Sequence, residues 1–298
     1  MNKNKSTTQL KMEKNKENIL SFFNEKVEFY KIRELRKIYN ECIDKKYIYS
    51  VTTFTAFQKF LIHNNVYKEK FILEFPSKTY TRYFVEKPSL YRAIQSISPN
   101  AYFSHYSAVE YHNLTNNIPK TIFISLEKSK PLKELPKKQL IQEEINRAFY
   151  MPPRISKNLT IKDIYSINLL QSKYSNKLGI IETNYNNAKI NITNIERTLI
   201  DITVSPYYCG GCFEVLNVYK KARGRVNIQK LYDMLIKLDY IYPHHQVIGF
   251  YLEKAGFKEA DLQLFDHNKE LRFFVQRELK EKERKYSERW NLYYPEFL

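Results

Sequence analysis

The chain has 298 residues, enough for two domains that each bury a core, and its 43% hydrophobic and 27% charged composition is that of a globular protein. A formal net charge of +17 makes nucleic acid the leading partner class, with an anionic membrane surface or an acidic protein second. No run of 18 apolar residues is present to span a membrane, Met1–Lys16 lacks the apolar stretch of a secretory signal, and three cysteines cannot build a disulfide framework, so a cytoplasmic protein is expected.

Residues 1–16 are rich in Lys and Asn and read as a disordered basic tail. From Glu17 the pattern turns helical, with Ile19, Leu20, Phe23 and Val27 near 3.6 spacing. A second helix fits Lys31 to Asp44, with Leu35, Ile38, Tyr39 and Cys42 inward, and a third runs from Thr52 to Asn64 over Ala56, Phe57, Phe60 and Leu61. Val66 to Phe75 and Tyr80 to Glu86 are aromatic-rich strands around a four-residue turn, Pro76 to Thr79, which reads as a hairpin.

Three helices followed by a hairpin is the order of a winged helix-turn-helix over residues 17–88, with the third helix placed for recognition and the hairpin as the wing. Thr52, Thr53, Thr55 and Gln58 are short or amide side chains suited to base edges, and Lys59 suits a base or a phosphate. Lys68, Lys70, Lys78 and Arg82, with Tyr80 among them, would face phosphates. Residues 1–88 hold 18 Lys/Arg against 10 Asp/Glu, so the basic excess is denser here than in the rest of the chain.

Residues 89–298 read as a second, mixed α/β domain with a helical C-terminal part, giving an α+β fold overall. A linking helix fits Ser89 to Ser98, a short helix follows Ser107 and Glu110 in capping-box spacing, and Thr121 to Leu126 is a strand. Lys128 to Lys138 reads as a basic loop, a strand fits Arg147–Met151, and Leu178–Thr183 with Ala188–Ile192 form a hairpin turning at 185–187. Thr193 and Glu196 repeat the T-x-x-E capping box ahead of a helix in which Arg197 and Asp201 stand at i, i+4. Helices follow at Cys212–Ala222, Ile228–Leu238 behind an Asn227 cap, and His244–Ala255, closed by Gly256. Glu270 to Ser287 is expected as a charged helix, and Trp290 to Pro295 as a last strand.

Several of these segments together resemble the AbiEi antitoxin family. Tyr102-Phe-Ser104-His-Tyr-Ser107-Ala-Val-Glu110-Tyr-His-Asn-Leu114 ahead of Ile118-Pro119 is similar to its first signature, and Thr193 to Asp201 with Pro206 and Gly210-Gly211 to its second. Ile228–Leu235, Gln246 to Glu253 with Gly256, and Trp290-Asn-Leu-x-x-Pro295 follow in the expected order. Asn113 departs from the family where a glycine is common, and the first 16 residues have no counterpart. The resemblance implies an antitoxin of a type IV toxin–antitoxin system tied to abortive phage infection. Its winged helix would bind inverted repeats in its own operon promoter, and its C-terminal domain would counter a nucleotidyltransferase-like toxin. The alternative is neutralisation by direct binding of the toxin, or of another acidic protein.

No catalytic set, cofactor or metal is expected. Cys209-Gly-Gly-Cys212 has C-x-x-C spacing, but a zinc site needs further ligands and His244-His245 is the sole nomination. His105, Ser107 and His112 lack the G-x-S-x-G setting of a serine nucleophile, and Glu182-Thr-Asn184 lacks the lysine of a nuclease motif. Glu196, Arg197 and Asp201 are accounted for by pairing and capping within their helix.

Overall fold

The computed structural model describes residues 6–23, 26–132, 139–185 and 188–298. It is a mixed α+β structure that divides into two compact units, one built on Met1–Ile97 and the other on Ser98–Tyr185 with Lys189–Leu298. Positions 1–5 of the expected tail, 133–138 of the basic loop and the turn residues 186–187 lie outside the described residues.

The first unit begins with α1 (Thr7–Lys14) and α2 (Lys16–Leu20). The described part of the expected tail is therefore helical. Ser6 caps α1 by accepting the Gln9 amide, and Met12 and Ile19 are buried in the core of this unit. Ile19 belongs to the helical pattern expected from Glu17, whereas the charge and Asn content around Met12 hid its role. β1 (Phe29–Lys31) leads into α3 (Ile32–Asp44), whose entry is fixed by Glu34 accepting the Lys31 amide at 2.7 Å. α4 (Phe54–His63) is capped by the Thr53 hydroxyl, which accepts from the Ala56 amide at 3.1 Å. β2 (Glu69–Phe75) and β3 (Lys78–Phe84) pair with Phe75 opposite Lys78, so the turn is the two residues Pro76-Ser77, tighter than the sequence implied. Phe71, Leu73 and Phe75 face inward in strict alternation. β1 adds to β3 and completes a sheet ordered β1-β3-β2.

α5 (Leu90–Gln95) belongs to this first unit, so the boundary falls after Ile97 and not at Pro88. Two attachments explain the shift. Arg92 forms an ion pair with Glu28, and the Arg82 side chain donates to the carbonyls of Ser96 and Ile97.

The second unit carries a sheet ordered β6-β7-β5-β4-β9-β8. Its strands are β4 (Tyr102–Phe103), β5 (Thr121–Glu127), β6 (Leu159–Lys162), β7 (Tyr165–Ser172), β8 (Ile180–Tyr185) and β9 (Ala188–Thr193). β5 and β7 run parallel in register from Thr121/Ser166 to Glu127/Ser172. α6 (His105–Tyr111) follows β4 and α7 (Gln142–Tyr150) follows β5. The strand expected at Arg147–Met151 is thus the end of α7, because Ile145 and Phe149 stand at i, i+4 and are both buried.

α8 (Ile195–Val204) is the central element, with every residue from Glu196 to Thr203 buried. It packs against α6, α9 (Cys212–Ala222), α10 (Ile228–Leu238) and α11 (His244–Lys254). α12 (Glu259–Gln263) follows the Gly256 cap. The stretch expected as a helix over Glu270–Ser287 instead holds β10 (Phe273–Phe274), a 3₁₀ turn and β11 (Arg284–Ser287). β12 (Leu292–Pro295) lies between β10 and β11 in a third sheet. Phe273, Phe274 and Val275 are consecutive buried residues, and the pairing of Phe273 and Phe274 with Leu292 and Tyr293 of β12 makes the segment a strand.

Candidate nucleic-acid interface

The residues nominated for DNA contact separate into two groups in the first unit. On α4, Thr55, Lys59 and Ile62 fall at i, i+4, i+7 and are exposed, while Phe57, Phe60 and Leu61 are buried behind them. Thr53 is exposed at the helix start, its hydroxyl shared with the cap. On the hairpin, Lys70 and Lys78 are exposed, and the Lys78 ammonium sits 5.0 Å from the centre of the half-buried Tyr80 ring. These side chains are free to meet an anionic partner.

The second group is committed to the fold. Thr52 is buried, its carbonyl accepting from the Tyr39 hydroxyl at 2.5 Å. Gln58 is half-buried and donates to the Tyr83 hydroxyl at 2.9 Å. Lys68 is exposed but paired with Glu86 at 2.6 Å. Arg82 is only 7% exposed and is spent on backbone carbonyls. Burial lowers its pKa from the usual guanidinium value, while Glu34 and Tyr80 oppose that. Alternation along β3 gave no warning, since Arg82, Tyr83 and Phe84 are all buried in succession.

In the second unit the residues singled out by their spacing are engaged in hydrogen bonds within the fold. Ser104, not Ser107, occupies the N-cap position of α6 and bonds to Ser125 and His105. Ser107 accepts from the Phe123 amide at 2.8 Å and so ties α6 to β5, and Glu110 lies half-buried in the last turn of α6. The α6 cap thus lies three residues before the expected one, and the cap of α8 lies one residue after it. Asn194 accepts from the Arg197 amide, Thr193 bonds to the Thr198 hydroxyl, and Glu196 turns to Lys230 and to the Asn227 amide at the start of α10. A threonine followed by an asparagine offers two adjacent caps, and the T-x-x-E spacing favoured the wrong one.

Arg197 is 2% exposed. Its Nε donates to Asp201 at 2.8 Å, and its Nη1 donates to the Leu178 carbonyl at 2.7 Å and to the Ser175 hydroxyl at 3.1 Å. Burial disfavours its charge, but Asp201, Tyr102 and Tyr240 outweigh that and raise its pKa. Gly179, at φ +75°, allows the approach, for a Cβ there would stand 2.6 Å from the Arg197 Cβ.

Cys209 and Cys212 are buried free thiols, and burial holds both protonated, Cys212 at about 11. Among the described residues no group of three or more His, Cys, Asp or Glu side chains is placed to hold a metal ion, and no helix is long and apolar enough to cross a membrane.

No protein-family model matches the chain, and no curated protein matches it. Among solved structures, the fold is similar to the crystal structure of the RV2827C protein from Mycobacterium tuberculosis, with a TM-score of 0.53 over 94% of this chain and 90% of that one. Sequence identity is 12%, so the likeness is one of fold.

Proposed function

We propose that the chain is an AbiEi-like antitoxin that represses its own promoter through a winged helix-turn-helix in the first unit, without catalysis of its own. The observation that carries this reading is the exposed stripe of α4. Thr53, Thr55 and Lys59 line a helix whose opposite face is fully apolar, and the two-residue hairpin turn beside Lys78 supplies a basic tip. A polar helix face fits a major groove, and lysines on a short hairpin fit flanking phosphates. The second unit would then carry the action against a nucleotidyltransferase-like toxin. A gel shift with the DNA upstream of the operon tests the repressor half: preference for an inverted repeat there over random DNA supports it, and equal affinity for both sinks it.

One observation favours direct protein contact as a second reading. Tyr49, Val51 and Ile62 are exposed apolar side chains on and beside α4, with Val51 76% exposed. A stable stoichiometric complex between the co-expressed toxin and this protein, seen by size exclusion, would favour that reading.

A further inference from the structure

The six-stranded sheet of the second unit ends in β6, which among the described residues pairs with β7 on one side only. Just ahead of β6, the Asn158 carbonyl accepts from the Leu169 amide of β7 at 2.9 Å. Backbone direction alternates along a strand, so Thr160 and Lys162 also turn their N–H and C=O groups to β7. Those of Leu159 and Ile161 therefore point off the sheet edge, and among the described residues they have no hydrogen-bond partner.

The side chains at this edge are apolar and open to solvent. Leu159 is 43% exposed and Ile161 73%, and Ile164, in the two-residue turn from β6 to β7, is 71% exposed. Folded proteins ordinarily guard an edge strand with proline, a bulge or several charges, because its free groups template another strand. Within β6 only Lys162 is charged, and no proline interrupts it.

The strand that fits this edge is β6 of a second copy, run antiparallel across a two-fold axis. Leu159 and Ile161 must then face residues that also point outward, which leaves few registers. With the axis at Thr160, Leu159 lies opposite Ile161 of the second copy and Thr160 opposite its own mate. Both outward residues of each strand are then used, in pairs that exchange N–H and C=O. The same register sets the exposed Lys157 opposite the exposed Asp163, and Asn158 opposite Lys162. An axis at Leu159 would set Lys157 against Ile161, and an axis at Ile161 would set Leu159 against Asp163. Of the three, the Thr160 register matches apolar with apolar and cation with anion. We propose that the β6 edge is a homodimer interface, joining the six-stranded sheets of two copies in this register. It involves the second unit and does not depend on DNA binding by the first.

Sedimentation equilibrium of the full chain over a concentration series tests it. A reversible dimer is expected, with a dissociation constant of about 1–100 µM for so small an interface. Ile161→Lys should weaken it about tenfold or more, and so should Lys157→Glu and Asp163→Lys singly. The double variant Lys157→Glu/Asp163→Lys should return to within about threefold of the parent. All three positions are exposed, so the variants should keep the parent's urea midpoint. Thr160→Cys sets two thiols across the axis, with Cα atoms about 4.5 Å apart, and should give a covalent dimer on mild oxidation. A chain that stays monomeric at about 500 µM overturns the proposal. So does a dimer indifferent to Ile161→Lys, or a double variant that associates no more tightly than the single ones.

Discussion

Arg82 reaches across the first unit to Ile97, its Nη2 donating to the Ile97 carbonyl at 2.8 Å while its Nε donates to Ser96 at the same distance. Two carbonyls at the exit of α5 have this one guanidinium as their donor. Arg82→Met keeps the aliphatic stem and removes both charge-assisted bonds, at a cost of about 2–3 kcal/mol. Urea denaturation should show that loss. On the proposed DNA reading, the salt dependence of binding by the folded fraction should be unaltered. Lys59→Ala or Lys78→Ala should do the reverse, leaving stability within about 0.5 kcal/mol and lowering the salt slope by about one unit each.

Arg197 presents the same physics inside α8. Its removal leaves the Asp201 carboxylate buried beside no cation, and the Leu178 carbonyl without its 2.7 Å donor. Arg197→Ala should therefore cost about 3–5 kcal/mol, the usual loss when one member of a buried pair is deleted. A double-mutant cycle with Asp201→Asn checks the assignment. Additive losses would mean that the pair is not coupled, and the register of the Ser175–Leu178 segment would then need another explanation.

Periodicity made the helices legible where one face is apolar, as in α3, α4, α9, α10 and α11. It failed where tertiary pairing decides. Lys280 to Ser287 has strong helix formers, yet Leu279 is the one buried residue between Gln276 and Arg289, so no stripe exists to hold a helix against a core. β1 escaped notice because three residues are too few to show alternation, and its stability comes from β3. Arg82 escaped because charge alone marks a residue as exposed, and only the fold reveals carbonyls that need a donor. The stacking of Phe149 on Phe274 had no local signature, since the two rings come from segments more than a hundred residues apart.

Gly249 lies inside the Gln246–Glu253 stretch of α11, against the Trp290 ring. A Cβ at this position would stand 2.1 Å from the Trp290 ring, which is fully buried and fixed by Nε1 donating to Glu253 at 2.8 Å. The indole cannot retreat, so Gly249→Ala should cost about 1–3 kcal/mol despite alanine's better helix propensity. Trp290 is the single tryptophan of the chain, which makes fluorescence a local readout. The parent should emit at short wavelength, and the variant should shift to the red before global unfolding in a urea series.

His244 makes stability depend on pH with a definite sign. Its folded pKa is depressed from 6.5 to about 3, mainly by burial and then by His245. An unfolded chain binds a proton there as pH falls below 6.5, and the native state does not until about 3. The stability linked to this group is thus fully present above 6.5 and drains away as pH falls, at up to about 1.4 kcal/mol per pH unit. His105, His112 and His245 are also lowered, chiefly by burial, and add in the same direction. The lowered carboxyls of Glu259 and Asp266 act at lower pH, so the window from about pH 6 to 4.5 reports the histidines. Urea midpoints across that window should fall steadily for the parent, and His244→Gln should flatten the slope by close to one proton. An unchanged slope in the variant would mean that His244 is already protonated in the fold.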